Sequence, residues 1–308
     1  MVGTILDQRF ELCEELGSGG MANIFLAHDK KENRDVAVKI LKGRRSISEE
    51  YRERFQREYE LCAQLSHPNV VKMYHFGKVD EKRSYYAMEL LPQQSLEDLV
   101  HNKGAQEEKR VVAILRQLCS AFTYIHSLGI IHRDLKPENV LIRLDSSIAI
   151  TDFGIARSHE QAPLTGTGIT MGTPNYISPE VLLGNDADER SDIFALGIIA
   201  YELLAGENPF CANALGDVIE KIVSYQPPPI SSLREGISEL WDPIVNRCLM
   251  KTPAGRYASV EDINTDLIAL GNSLGMDIEE SKPSKTSTQG CGTKVALLLG
   301  TAAILSYL

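Results

Sequence analysis

The stretch IHRDLKPENVLI, residues 131–142, crowds a carboxylate (Asp134), an ammonium (Lys136) and a carboxamide (Asn139) together just ahead of an apolar run. A further acidic residue, Asp152, follows in ITDFGIAR, again directly behind apolar residues. Asp134 can accept a proton. Asn139 and Asp152 offer hard oxygen atoms of the kind Mg2+ prefers. Lys136 places a positive point charge where a transferred phosphate would carry negative charge. A lone DFG tripeptide would say little, because polar residues on solvated loops are common. Two such motifs in this order, each beside an apolar run, point to one site.

Near the start, LGSGGMANIF holds Gly17, Gly19 and Gly20 within four positions. Glycines allow a backbone to approach a phosphate closely, because a Cβ would block that approach. They are also what a tight hairpin tolerates. A full GxGxxG spacing would need glycine at position 22, which is Ala22. By itself this segment leaves both readings open.

The elements that must carry these residues can be read from periodicity. Phe10 to Leu16, Ile24 to His28 and Val36 to Leu41 read as strands, the last two parted by the polar turn DKKENRD. EEYRERFQREYELCAQL places Tyr51, Phe55, Tyr59, Cys62 and Leu65 at steps of three or four, an amphipathic helix that HPN at 67–69 should end. VVKMYHF and SYYAMELL add two strand-like runs. After Pro92 the texture turns helical. VVAILRQLCSAFTYIHSLG carries an apolar stripe with Gly129 as its expected C-terminal cap, and SDIFALGIIAYELLAG is apolar on nearly all sides, as a buried helix would be. A small β-rich lobe and a larger helical lobe result, joined near Glu89 to Pro92.

The chain has 308 residues, 43% hydrophobic and 24% charged, which is ample for a substantial core. A net charge of −10 argues against a broad nucleic-acid surface, and no nucleic-acid partner is expected. The six cysteines are scattered singly, with no metal-site spacing and no signal peptide ahead of them, so a reducing cytoplasm is expected.

On these motifs the chain resembles the eukaryotic-type (Hanks-type) protein kinases, most of all their bacterial Ser/Thr branch, over roughly residues 8 to 272. The resemblance implies an α+β, bilobal fold: a small β-rich N-lobe with one key helix (1–91) and a larger, mainly helical C-lobe (92–275). It implies a non-specific serine/threonine protein kinase using ATP with Mg2+, or Mn2+ in its place, and protein substrates bearing Ser or Thr. Lys39 of VAVK would take the α/β-phosphates, with Glu58 as its ion-pair partner; Asp134 would be the catalytic base beside Lys136, and Asn139 and Asp152 would hold the metals. Leu16, Gly17, Ser18, Gly19, Gly20 and Ile24 would cover the nucleotide, and Ala37, Met88, Glu89, Leu91 and Leu141 would line it. Ala22 stands where the family has its third glycine and adds one methyl. Thr165 and Thr167 of PLTGTGITMGT would be autophosphorylation sites, made in a transient homodimer. Arg133, Thr173, Glu180, Asp192 and Arg256 would be structural, Glu180 pairing with Arg256 and Asp192 bracing the catalytic loop. A pseudokinase scaffold is the competing reading, and it would be expected to break at least one of these positions.

The remaining residues read as a polar linker (276–294) and an apolar segment, VALLLGTAAILSYL (295–308). Fourteen residues make a helix of only about 21 Å, short of a bilayer core of about 30 Å. A short anchor to the cytoplasmic face of the membrane is the expectation, with Lys294 on the near side; a terminal helix docked on the kinase is the alternative.

Overall fold

The computed structural model describes residues 1–19, 22–42, 49–81, 83–153 and 174–278. Gly20, Thr165, Thr167, Thr173 and the 295–308 segment therefore lie outside the described residues.

The first lobe is an antiparallel sheet with strand order β1-β2-β3-β4-β6-β5. Its strands are β1 (Ile5–Leu6), β2 (Phe10–Ser18), β3 (Ala22–Asp29), β4 (Arg34–Leu41), β5 (Met73–Lys78) and β6 (Ser84–Glu89), with α1 (Glu49–Cys62) between β4 and β5. Side chains alternate across a strand, and β4 and β6 use that alternation to serve two cores. Val36, Val38, Ile40, Tyr85 and Ala87 pack with Phe10, Leu12 and Phe25 on one face. Ala37, Leu41, Tyr86 and Met88 turn to the other, with Phe55 of α1. Lys39, between Val38 and Ile40, must share the second face.

The sequence reading ran α1 on toward His67 and began β5 at Val70. Instead the end of α1 tightens, with Gln64 N–H donating to Leu61 O and Leu65 N–H to Cys62 O. Val70 and Val71 are drawn away from the sheet: Val71 N–H donates to Ile150 O, and Ile150 N–H to Asn69 O. That segment is thereby pinned to the other lobe.

In the second lobe α2 (Leu96–Lys103) and α3 (Glu108–Ser127) precede a hairpin of β7 (Val140–Ile142) and β8 (Ile148–Ile150). Then come α4 (Pro179–Leu182), α5 (Glu189–Ala205), α6 (Leu215–Ser224), α7 (Ile230–Leu233), α8 (Trp241–Cys248) and α9 (Val260–Ser273). Every residue of α5 from Ser191 to Leu204 is buried, as its largely apolar sequence requires. Gly206 ends it at φ 84°, where an added Cβ would also meet Ala105 N at 2.9 Å. Gly129, at φ 70°, closes α3 as expected. Packing continues through Met276 and Ile278, both set against the helical core. Among the described residues no helix is long and apolar enough to cross a membrane.

One buried ion pair fastens the first lobe. Asp29, fully buried, accepts from Arg9 Nε at 2.6 Å and Arg9 Nη2 at 2.7 Å. Those bonds hold its carboxyl down at about 2. A carboxyl depressed on folding stabilises the fold above its unfolded value of about 3.9 and loses that contribution as pH falls toward the folded value. Asp29→Asn is therefore expected to cost about 1 to 2 kcal/mol at neutral pH. In urea unfolding series, its stability gap from wild type should narrow steadily below about pH 4.

Candidate active site

Lys39 projects from β4 to the face shared with α1. Its Nζ lies 2.6 Å from Asp152 Oδ1 and 3.4 Å from Glu58 Oε1. Burial opposes the lysine's charge, but the Asp152 and Glu58 carboxylates outweigh it and raise its pKa. Burial likewise opposes the Asp152 charge, yet Lys39 holds that carboxyl below its usual range. For Glu58 burial prevails and the carboxyl is raised. Asp152 carries a left-handed backbone, φ 51°. For a residue with a Cβ that conformation is uncommon and is sustained only by its surroundings.

The loop holding Asp134 is set by α5. Asp192, buried near the start of that helix, accepts from His132 N–H at 3.0 Å and Arg133 N–H at 3.1 Å. His126 Nε2 of α3 lies 2.9 Å from the same carboxylate. Arg133 also has a left-handed backbone, φ 65°, which turns the chain so that Asp134 follows. Below this loop the buried His132 ring sits 4.6 Å from that of Phe153, and burial lowers the His132 pKa, favouring the neutral ring.

Asn139 ties the two motifs together. Its Nδ2 donates to Asp134 O at 2.9 Å, with Asp134 Oδ2 at 3.3 Å and Asp152 O at 3.4 Å. The hairpin adds Thr151 N–H donating to Asn139 O at 2.8 Å. With its nitrogen engaged in these bonds, the amide keeps its oxygen as an acceptor, and Asp152 adds a carboxylate. Such a hard-oxygen pair suits a divalent cation like Mg2+. Lys136 Nζ stands 3.6 Å from Asp134 Oδ2, giving the aspartate an adjacent cation.

The glycines can now be tested against the fold. A Cβ built on Gly17 meets nothing within 4 Å, and one on Gly19 meets only Ala22 O at 3.7 Å. Neither glycine has the positive φ that would demand it. Packing among the described residues gives no reason for glycine at either position, and the bare backbone leaves room for a phosphate to approach closely. Leu16, Gly17 and Ser18 end β2, with Gly17 paired to Ile24 and Ser18 to Asn23. Behind the loop, Ala37 faces Met88 across the β4–β6 pair and packs with Leu91, Ile24 and Leu141, an apolar cluster suited to a flat base.

Glu89 sits differently from its neighbours. Arg143 grips its carboxylate with two bonds of 3.0 and 3.1 Å, and also donates to Pro68 O and Ile148 O. Its N–H donates to Lys72 O. The Glu89 carboxylate is thus engaged by Arg143 and the Lys72 N–H. Arg143 joins the interlobe connection to the hairpin, a role the sequence reading missed because a lone arginine after a strand carries no motif. Lys42, which donates to Ser18 Oγ and Gly19 O, was missed for the same reason.

Glu180 and Arg256 meet as expected, in a fully paired buried bridge. Arg256 Nη1 and Nη2 reach Glu180 Oε1 and Oε2 at 2.8 and 2.7 Å, and Ser191 Oγ adds a third bond at 2.8 Å. Burial works against the Glu180 charge, but Arg256 holds its pKa below the usual range. Ser191 precedes Asp192, so this bridge buttresses the helix start that holds the loop carrying Asp134. A separate surface cavity of about 740 Å3, lined by Cys211, Asp217, Lys221 and Tyr225 among others, contains none of these groups.

A curled antiparallel sheet with one helix, joined to a helical lobe and meeting it at Lys39, Asp134 and Asp152, is the bilobal architecture of the protein kinases. The family model described as the protein kinase domain matches residues 10–268, and the chain belongs to that family. Serine/threonine-protein kinase PknB of Mycobacterium tuberculosis is 37% identical over 272 residues, 87% of this chain and 44% of that protein. Serine/threonine-protein kinase PknA of the same species is 34% identical over 307 residues, 98% of this chain and 69% of that protein. A probable serine/threonine-protein kinase of Clostridium acetobutylicum is 33% identical over 280 residues, 91% of this chain and 42% of that protein. The chain thus spans less than half the length of the first and third, and about two thirds of PknA.

Removing one member of a buried bridge strands the other's charge, at a cost of about 3 to 5 kcal/mol. Arg256→Met is expected to lose stability on that scale in chemical denaturation. Glu180→Gln strands the buried Arg256 guanidinium and should lose a comparable amount.

Proposed function

We propose that the protein is a serine/threonine protein kinase that transfers the γ-phosphate of ATP to Ser or Thr hydroxyls of protein substrates. The observation that carries this reading is one unbroken chain of contacts: Glu58 to Lys39, Lys39 to Asp152, Asp152 through Asn139 to Asp134. All five groups a phosphotransferase of this family needs are present, which is the feature a pseudokinase would lack.

Phosphoryl transfer asks a protein for alignment and for compensation of developing charge. In this reading Asp134 orients the attacking hydroxyl and takes its proton, while Lys136 beside it offsets charge on the transferred group. Lys39 holds the nucleotide's phosphates, and Glu58 keeps Lys39 in place. Backbone at Gly17, Gly19 and Gly20 covers the phosphates, and Ala37, Met88, Leu91 and Leu141 enclose the base. Asn139 and Asp152 would hold Mg2+, or Mn2+, which supplies neutralisation of the phosphate oxygens. The Lys39–Asp152 pair joins two groups whose proposed ligands carry opposite charge, so it stabilises the site between turnovers.

Regulation and location extend the proposal. Thr165 and Thr167 would be phosphorylated in a transient homodimer, each phosphate adding about −1.5 to −2 charge near Arg133, while Thr173 shapes the substrate-binding segment. The domain would work in the cytoplasm, with residues 295–308 as a short membrane anchor beyond a polar linker that ends at Lys294.

Incubated with Mg·ATP and a generic protein substrate, the wild type should transfer phosphate and acquire it at Thr165 or Thr167 by mass spectrometry. Asp134→Asn and Asp152→Ala should each lower the rate on the order of 10³-fold with an unchanged circular dichroism spectrum. Wild-type turnover by folded Asp134→Asn would refute the assignment.

The anchor is checked separately by fractionation. The full chain should sediment with membranes and a chain ending at Ser281 should not. Recovery of both as soluble monomers without detergent would rule the anchor out.

A further inference from the structure

The inner face of α1 meets β6 at a residue to which the proposed mechanism gives no part. Tyr86 lies directly opposite Lys39 in the β4–β6 register and is fully buried. Its hydroxyl donates to Glu58 Oε1 at 2.8 Å. Lys39 reaches that same oxygen at 3.4 Å and sits closer, at 2.6 Å, to Asp152. Glu58 is therefore bound more closely by the phenol than by the lysine it is expected to serve. Burial pushes the Tyr86 pKa well up, so the hydroxyl stays a donor.

The ring is fastened as firmly as the hydroxyl. Phe55 stacks on it at 4.7 Å, and Tyr59 approaches at 6.2 Å. Phe76 of β5 closes the group, 5.3 Å from Tyr59 and 6.4 Å from Phe55. Phe55, Glu58 and Tyr59 fall at i, i+3 and i+4, so one helix face delivers two aromatic rings and the carboxylate to the same tyrosine. A carboxylate this buried needs a second partner, because one long ion pair does not offset its desolvation.

We propose that Tyr86 is a positioning residue for phosphoryl transfer: with Phe55 and Tyr59 it latches α1 to the sheet, and its hydroxyl sets the Glu58 carboxylate for Lys39. This inference rests on the kinase reading above. It predicts that the hydroxyl matters to activity and that it matters only through Glu58.

The strand supplies its own control. Tyr85 is equally buried but faces the other way, its hydroxyl donating to Asp7 Oδ2 at 2.6 Å. In the full-length protein, Tyr86→Phe keeps the ring and deletes one hydrogen bond, as does Tyr85→Phe. Tyr86→Phe should lower kcat about tenfold with KM for ATP within about threefold, because the lost interaction steers charge compensation rather than nucleotide binding. Tyr85→Phe should leave kcat unchanged. Added to Glu58→Gln, Tyr86→Phe should change kcat by less than about twofold, since coupled groups are not additive. Amides of α1 should exchange hydrogen about tenfold faster in Tyr86→Phe than in wild type or Tyr85→Phe.

Wild-type kcat in Tyr86→Phe would overturn the proposal, and so would an undiminished tenfold loss in the Glu58→Gln background, which would make the residue a packing element only. A wild-type chain that transfers no phosphate would sink the kinase reading instead. The exchange measurement would still decide the latch: faster α1 exchange upholds it and unchanged exchange overturns it.

Discussion

One ammonium group holds the site in register. Lys39 Nζ lies between the carboxylates of Glu58, on α1, and Asp152, just past β8. Taking three charges out of water is costly, and their attraction compensates only when the geometry is good. At about 4 Å and an effective dielectric near 20, a pair of unit charges gains about 4 kcal/mol, and the gain falls as the charges separate. The arrangement therefore acts as a constraint on three elements at once. If β4, α1 or the end of β8 shifts, a buried charge loses its partner.

The other half of the site hangs from a single helix. α5 is buried from Ser191 to Leu204, so it cannot move without disrupting the helical core. Its first turn presents Ser191 to Glu180 and Asp192 to the amides of His132 and Arg133. The segment before α5 and the loop carrying Asp134 thus share one rigid support. Arg143 performs a similar office at the connection between lobes, binding Glu89, Pro68 and Ile148 from one guanidinium. Charged side chains hold the loops, and apolar packing holds the charged side chains.

Much of this was legible in the sequence because its information is local. Short apolar runs parted by turn residues marked β2, β3, β4 and β6, and apolarity on nearly every side marked α5, since each pattern reflects what one segment buries. The two motifs brought Asp134, Asn139 and Asp152 to one site, and the family resemblance added Lys39 and Glu58. What escaped was set by pairing between distant segments. The end of α1 and the start of β5 are governed by Val70 and Val71 bonding to β8, some eighty residues on, and no local pattern records that. Arg143, Lys42 and Tyr86 act through contacts whose partners lie in other elements. Tyr86 reads as an ordinary core aromatic until its hydroxyl is seen on Glu58.

Two of the residues with left-handed backbones show how the parts depend on one another. Arg133 and Asp152 both hold left-handed backbones without being glycine, conformations that cost of order 1 to 3 kcal/mol each. Glycine at Asp152 would relieve the strain but would remove the carboxylate that pairs with Lys39. The strain persists because side chains from other elements fix each residue. Arg133 N–H is held by Asp192, while Asp152 is held by Lys39 at its carboxylate and by Asn139 at its carbonyl. Neither contact belongs to the residue's own secondary structure. The site is thus maintained by the buried core acting through Asp192 and Lys39, and a change that loosens either should relax the backbone at Asp134 and Asp152 before it unfolds the lobes.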